Sequence, residues 1–185
     1  MNESDLKRLL ESVRSGELDM DQAIARLRDL PYRDLGHAKV DNHRELRQGY
    51  PEVVLCEGKT VDQAADIIRF QVAETDASLL ATRASPAVFE AVRGLHPALR
   101  YNPLGRTIAL RRRPVEPAKG HIAIVTAGTS DLPVAEEAAE TAELLGSPVE
   151  RIVDVGVAGV HRLLVHRARL RSARVLVVVA GMEGA

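Results

Sequence analysis

Aromatic side chains make up only 3% of the 185 residues, with no Trp at all and Phe only at positions 70 and 89. So few rings cannot build the stacking platforms on which single-stranded bases are held. Net charge is just as scarce. The 25 Lys and Arg stand against 26 Asp and Glu, leaving -1, which excludes a generally basic nucleic-acid binder. The 45% hydrophobic content likewise excludes a disordered tail. Cys56 is the single cysteine, so the chain has no internal disulfide framework and no multi-cysteine zinc site, and a reducing cytoplasm is the expected compartment. No run approaches the roughly 20 apolar residues of a membrane span; the longest runs from Val175 to Gly181. The start, Met1-Asn2-Glu3-Ser4-Asp5, is acidic and lacks the basic and then apolar order of a secretory signal. Neither a nucleic acid nor a membrane is therefore expected as a partner.

What is present falls into an α/β pattern in several pieces. Leu6, Leu9, Leu10 and Val13 have the spacing of an amphipathic helix. After Gly16, Asp19 and Gln22 are placed to cap a second helix whose inner face is Ala23, Ile24 and Leu27, before Pro31 stops it. Residues 1–33 thus read as a helical hairpin. Residues 34–113 read as a small α/β domain. Val53 to Cys56 is a buried strand, Thr60 and Gln63 form a capping box ahead of Ala65, Ile67, Ile68 and Val72, and Ala77 to Thr82 is a second strand. Ser85 caps a helix beginning at Pro86, and Thr107 to Leu110 is a third strand. Two prolines and several charges make residues 114–120 a linker.

Residues 121–185 alternate continuous apolar strands with helices. Strands are predicted at Ile122 to Thr126, Ile152 to Val155 and Val175 to Val179, with helices from Pro133 to Leu145 and from Val160 to about Leu170. Buried strands joined by helices mean a parallel sheet wound by right-handed crossovers, and such sheets bind ligands at the carboxyl ends of their strands. The third strand is followed by only six residues, so this domain is expected to be incomplete and the chain truncated.

Several clusters can carry chemistry. Gly58-Lys59-Thr60 resembles the end of a P-loop, but Val53 stands where that motif needs its first glycine. Lys39, Asp41, His43, Glu57 and Lys59 lie at strand ends and a helix start, where they either line a ligand cleft or are solvated. Cys56, at the end of an apolar strand, reads as a small hydrophobe rather than a nucleophile. In Gly128-Thr129-Ser130-Asp131, Gly128 permits an unusual backbone angle, the hydroxyls and N–H groups can hold a phosphate, and Asp131 can accept from a sugar hydroxyl. The competing reading is that Ser130 or Asp131 merely caps the helix. Gly156-Val157-Ala158-Gly159 repeats the arrangement after the next strand, which points to one shared cleft. His161, in the first turn of the following helix, is a candidate acid/base or phosphate partner, or simply a surface histidine. His161 and His166 are five apart, a poor spacing for a metal pair.

Residues 121–150 carry six acidic side chains and no Lys or Arg, whereas Arg162, Arg167, Arg169, Arg171 and Arg174 follow. Glu136, Glu140 and Glu143 share one helical face and leave an alanine-rich face for close packing, so mutual helix contact is expected, within or between subunits. Glu183 stands in a small-residue loop just after a buried strand, where a carboxylate can work as acid or base, or belong to an exposed tail.

Three segments, Thr126-Ala-Gly-Thr-Ser-Asp131, Asp154-Val-Gly-Val-Ala-Gly-Val-His-Arg162 and Ala180-Gly-Met-Glu-Gly-Ala185, together resemble the core of the aminoimidazole ribonucleotide carboxylases. With Lys39-Val-Asp41 and Val54-Leu-Cys-Glu-Gly-Lys-Thr60, the chain is more similar to the LarB family of carboxylase/hydrolases, which act in nickel-pincer nucleotide cofactor synthesis.

The resemblance implies a three-layer αβα, flavodoxin-like domain and a closed oligomer, commonly an octamer. It implies carboxylation of the pyridinium ring of nicotinic acid adenine dinucleotide by CO2 or bicarbonate, with cleavage of the phosphoanhydride to release AMP. Gly128, Thr129, Ser130, Asp131, Asp154, Gly156, Gly159, Lys39, Asp41, Glu57 and Lys59 would bind substrate, and Glu183 or His161 would act as base. In the family a cysteine adds to the ring; it belongs to a C-terminal segment not represented here, and Cys56 does not match it. No cofactor is firmly implied. Mg2+ suits anhydride cleavage chemically, though no ligand set identifies it. Two other functions stay open: an aminoimidazole ribonucleotide carboxylase or mutase-like enzyme, and a nucleotide-binding module without catalysis.

Overall fold

The computed structural model describes residues 3–28, 32–42 and 44–181. The first apolar stripes become helices α1 (Glu3–Ser15) and α2 (Met20–Arg28). The Asp19 carboxylate accepts the Gln22 N–H at 2.7 Å, so the predicted cap forms. Leu9, Leu18 and Ala23 are buried, with Leu6, Val13 and Leu27 around them. Leu10 and Ile24, which the spacing places on the inner faces, are exposed, because two helices alone cover only a narrow stripe.

A short antiparallel ribbon, β1 (Arg33–Asp34) and β2 (Lys39–Val40), and helix α3 (Arg44–Gln48) lead into a four-stranded sheet. Its strands are β3 (Val53–Leu55), β4 (Leu79–Thr82), β5 (Arg100–Asn102) and β6 (Thr107–Leu110), in the order β3-β4-β6-β5. The β3/β4 pair is parallel and the others antiparallel. Helix α4 (Val61–Glu74) opens on the predicted capping box: Thr60 Oγ1 accepts the Gln63 N–H at 3.2 Å and Gln63 Oε1 accepts the Thr60 N–H at 3.0 Å. Helix α5 (Pro86–Val92) starts at Pro86 behind Ser85, as read from sequence. Ala64, Ala65, Ile68, Val88 and Val92 from these helices enclose Leu79, Ala81, Ile108 and Leu110. β3, predicted as a buried strand, buries only Val54 of its three residues, because alternate strand residues point to opposite faces and only the Val54 face is covered.

The second sheet is wholly parallel: β7 (Ile122–Thr126) lies between β8 (Val149–Ile152) and β9 (Val175–Val179). Helix α6 (Leu132–Leu144) sets Ala135, Ala138 and Ala139 against Ile122, Ile124, Val149 and Val177. On the opposite face, helices α7 (Val160–Val165) and α8 (Arg167–Ser172) set Leu163 and Leu170 against Ala123, Val125 and Ile152. Helices thus cover both faces. α6 also lies against β4 and β6, so it is shared between the two sheets. Residues 114–120 form no regular element, and the Ala118 N–H donates to Gly146 O at 2.9 Å.

Three further details differ from the sequence reading. β8 ends at Ile152 rather than starting there, because Asp154 adopts a left-handed backbone, φ 58°, that no strand continues through. The helix predicted from Val160 to about Leu170 is two short helices, broken at His166. β9 is not buried: Val175, Leu176 and Val178 are 47%, 49% and 59% exposed, since β7 is its one neighbour among the described residues. Among the described residues no helix is long and apolar enough to cross a membrane.

Candidate functional site

The carboxyl ends of β8, β7 and β9 stand side by side, and backbone hydrogen bonds join the loops that leave them. Val155 N–H donates to Thr126 O at 3.0 Å, Gly156 N–H to Ala127 O at 2.9 Å, and Ala127 N–H to Val179 O at 3.1 Å. The two glycine-containing loops singled out in the sequence therefore form one surface. Thr126 is fully buried, and its Oγ1 accepts the Asp154 N–H at 3.0 Å. That bond holds Asp154 in the left-handed region, which Asp adopts more readily than most side chains do. The Asp154 carboxylate in turn accepts from Arg162 Nη1 at 2.5 Å, so the guanidinium is fastened at the start of α7.

Glycine is required at one of these turns and not at another. A Cβ on Gly156 would stand 2.7 Å from Ala127 O, a backbone atom that cannot move aside cheaply. Gly128, expected to need an unusual angle, has φ -140° and ψ 177°, ordinary extended backbone, with 3.9 Å to the nearest atoms a Cβ would meet. The Asp131 carboxylate accepts the Gly128 N–H at 2.8 Å, bracing the loop just before α6 begins. Thr129 to Asp131 form a single 3-10 turn, and Ser130 is exposed on it.

His161 is exposed in the first turn of α7, one residue before Arg162. His166 sits at the helix break with its Nδ1 3.0 Å from Arg169 Nη1. Glu183 and His43 lie outside the described residues. The remaining candidates belong to the first sheet and its ribbon. Lys39 pairs with Asp34 at 2.6 Å and lies over the Tyr32 ring, and Asp41 accepts from Arg47 at 2.7 Å. Glu57 pairs with Arg83 at 2.5 Å, and Lys59 Nζ donates to Leu55 O at 2.7 Å across the end of β3. Cys56 is buried, and burial pushes its thiol pKa up, the environment of an inert small hydrophobe.

The acidic face of α6 is satisfied within the chain. Arg151 reaches Glu136 at 2.8 Å and Glu143 at 2.7 Å, and Asn102 Nδ2 donates to Glu136 at 3.0 Å and Glu140 at 3.3 Å. Among the described residues no group of three or more His, Cys, Asp and Glu is placed to hold a metal ion. A groove of about 930 Å³ lies between the helical hairpin and α4. Its Arg8, Arg26 and Arg33 stand among Asp5, Glu45, Glu74 and Asp76, so its charge selects no anion.

Residues 32–113 match the family described as the LarB/PurE-like N-terminal domain. A protein of Methanocaldococcus jannaschii, described as uncharacterized, is 33% identical over 195 residues, a stretch covering 98% of this chain and 74% of that protein. The chain belongs to the LarB/PurE-like family. In this LarB/PurE-like chain the matched segment takes in the ribbon and the whole first sheet, and the loops at β7 and β8 lie beyond it, within the reach of the archaeal relative. Sequence reasoning passed over Arg162 and Thr126. Arg162 carried a signal, standing eight residues after Asp154 in a segment already singled out, whereas Thr126 reads only as the last residue of an apolar strand.

Proposed function

We propose that the chain acts in carboxylation of the pyridinium ring of nicotinic acid adenine dinucleotide and in hydrolysis of its phosphoanhydride. The products are AMP and pyridinium-3,5-biscarboxylic acid mononucleotide, for nickel-pincer cofactor synthesis. Family membership supports a carboxylase-type activity in general. The observation that carries the finer reading is the hydrogen bonding of Thr126 and Ala127, just ahead of Gly128–Asp131, to Val155 and Gly156 at the ends of two adjacent parallel strands, where α/β sheets place nucleotides. The organisation that goes with it is a helical hairpin over 1–33, a small α/β domain over 34–113, a linker over 114–120 and a flavodoxin-like carboxylase domain from 121. The cytoplasm is its compartment and a closed oligomer, up to an octamer, its assembly.

The Thr129 and Ser130 hydroxyls and the Arg162 guanidinium hold the phosphate of the nucleotide being carboxylated, and Asp131 accepts from its ribose. Gly156 and Gly159 let the backbone approach the substrate, and Asp154 aims Arg162. Ring carboxylation forms a carbon–carbon bond to CO2 and releases the ring proton to a base. His161 at the start of α7 and Glu183 after β9 are the groups assigned to that proton. Hydrolysis adds water across the phosphoanhydride and leaves a phosphate on each nucleotide.

The test supplies the protein with nicotinic acid adenine dinucleotide and bicarbonate and follows AMP and the carboxylated mononucleotide. Their joint appearance is the expected result. Binding without turnover would make the chain a nucleotide-binding module, and turnover of aminoimidazole ribonucleotide instead would place it with those carboxylases.

A further inference from the structure

The amino ends of the parallel pair β3/β4 adjoin a small cavity that the proposed reaction does not use. It measures about 30 Å³ and lies between the end of β2, the start of α3, the last turn of α4 and the residues just ahead of β3 and β4. Gln71, on α4, lines it and is 7% exposed. Its Nε2 donates to Glu52 O at 3.4 Å, which turns Oε1 away from that carbonyl, and Oε1 is buried with no hydrogen-bond partner among the described residues. Native folds rarely keep a buried acceptor without a donor.

Glu52 lines the same cavity. Its Oε2 accepts the Asp41 N–H at 2.6 Å, and among the described residues no Lys, Arg or His pairs with its carboxylate. Asp41, Asn42, Glu45 and Ser78 are also in the wall, which contains no Lys, Arg or His. Two arginines stand outside it and neither reaches Glu52: Arg47 pairs with Asp41 at 2.7 Å, and the Arg112 guanidinium is bound to the Val72 and Thr75 carbonyls. A cavity of this size holds one or two waters or a bare ion, and no organic ligand. A water donates to Oε1 but leaves the Glu52 charge unanswered, whereas a cation answers both. No three carboxylates converge among the described residues, so the donors are one carboxylate with amide oxygens, the set that suits hard ions.

We propose that this cavity is a site for one dehydrated hard cation of the size of K+ or Ca2+, anchored by Gln71 Oε1 and the Glu52 carboxylate. Mg2+, which gives up its water reluctantly, is too large in hydrated form for the space. The ion ties the β1/β2 ribbon and α3, which bring Asp41, Asn42 and Glu45, to the body of the first sheet, which brings Glu52 and Gln71. It is independent of the nucleotide loops, which belong to the second sheet.

Thermal unfolding of the whole chain, freed of ions by chelation and dialysis, tests the site at constant ionic strength with paired chlorides: potassium against tetramethylammonium, and calcium against magnesium. K+ or Ca2+ raises the unfolding temperature above that in its paired control, by about 3 to 6 °C at ten times the ion's dissociation constant, and the ion that does so assigns the charge. Gln71→Met keeps the length and removes the oxygen, so the increment disappears while ion-free stability is held or raised, the unpaired acceptor being gone. Glu52→Gln keeps an oxygen and removes the charge, so about 10-fold or more ion is needed for the same shift. Equal shifts within both pairs, or none, mean that general screening or a water serves Gln71 and overturn the site. An increment that survives in Gln71→Met also overturns it. Where circular dichroism shows that Gln71→Met does not fold, Glu52→Gln decides, and an unchanged ion requirement in that variant overturns the site.

Discussion

Thr126 and Asp154 are joined side chain to backbone, the fully buried threonine hydroxyl accepting the N–H of a residue in the left-handed region of the next strand's loop. The bond converts the end of one apolar strand into a support for its neighbour's loop. Thr126→Val keeps the volume and removes the acceptor, leaving a polar group unpaired, a loss of about 1 to 3 kcal/mol. A lowered urea midpoint with an unchanged slope is the expected measurement. An unchanged midpoint would show that Asp154 is held by its own preference alone.

The two loops make opposite demands on glycine. Gly156→Ala drives a Cβ to 2.7 Å from Ala127 O, so the loops must part, at a cost of about 1 to 3 kcal/mol together with loss of nucleotide binding. Gly128→Ala meets nothing closer than 3.9 Å in an extended backbone and should hold stability within about 0.5 kcal/mol of the wild type. Thermal unfolding of the two variants side by side checks the contrast, and equal effects would contradict the loop geometry described.

The parts of this molecule legible in the sequence are those set by local rules. Thr60 with Gln63, Ser85 with Pro86, and Asp19 with Gln22 mark helix starts because the bonds they make lie within three residues. The run from Ile122 to Thr126 reads as a buried strand of a parallel sheet because both its faces are apolar. What could not be read depends on distant partners. Arg112 reads only as a charge at the end of the small α/β domain, yet its guanidinium donates to the Val72 and Thr75 carbonyls and closes the end of α4. The end of β8 was misplaced because Val153 and Val155 extend its apolar pattern while the backbone turns at Asp154. Exposure of β3 and β9 follows from strand order, which periodicity does not encode. In the candidate site, the glycine-rich loops were legible, and the Arg162 to Asp154 pairing required the fold.

Glu136 gives the chain a defined response to acid. The Arg151 guanidinium holds its carboxyl below the ordinary value of 4.5, and Asn102 adds to this while burial opposes it. A carboxyl depressed in the folded state contributes stability that is present above its unfolded pKa and lost as pH falls through the folded pKa. The stability difference between wild type and Glu136→Gln should therefore be full at pH 7 and shrink below pH about 4.5, the unfolded value. Urea unfolding of both proteins at pH 7 and at pH 3 measures it. A difference that stays constant, or grows in acid, would remove the Arg151 pairing as its source.

The last prediction concerns β9. Its five residues, Val-Leu-Val-Val-Val, are apolar on both faces, the composition of an interior strand of a parallel sheet, yet its outer edge has no strand beside it among the described residues. Exposed Leu176 and Val178 stand beside a row of backbone groups open to pairing, which makes the edge a site of association for the 185-residue protein. A lysine there keeps the strand paired with β7 while placing a charge where another strand would dock, the device by which natural edge strands stay solitary. Light scattering of the 185-residue protein should show mass rising with concentration, and Val178→Lys should suppress that rise while leaving the circular dichroism spectrum unchanged. A wild-type protein that stays monomeric across the micromolar range would show that this edge attracts nothing. Association that persists undiminished in Val178→Lys would move the contact elsewhere, to the apolar side chains Val157, Val160 and Leu164, which are also exposed.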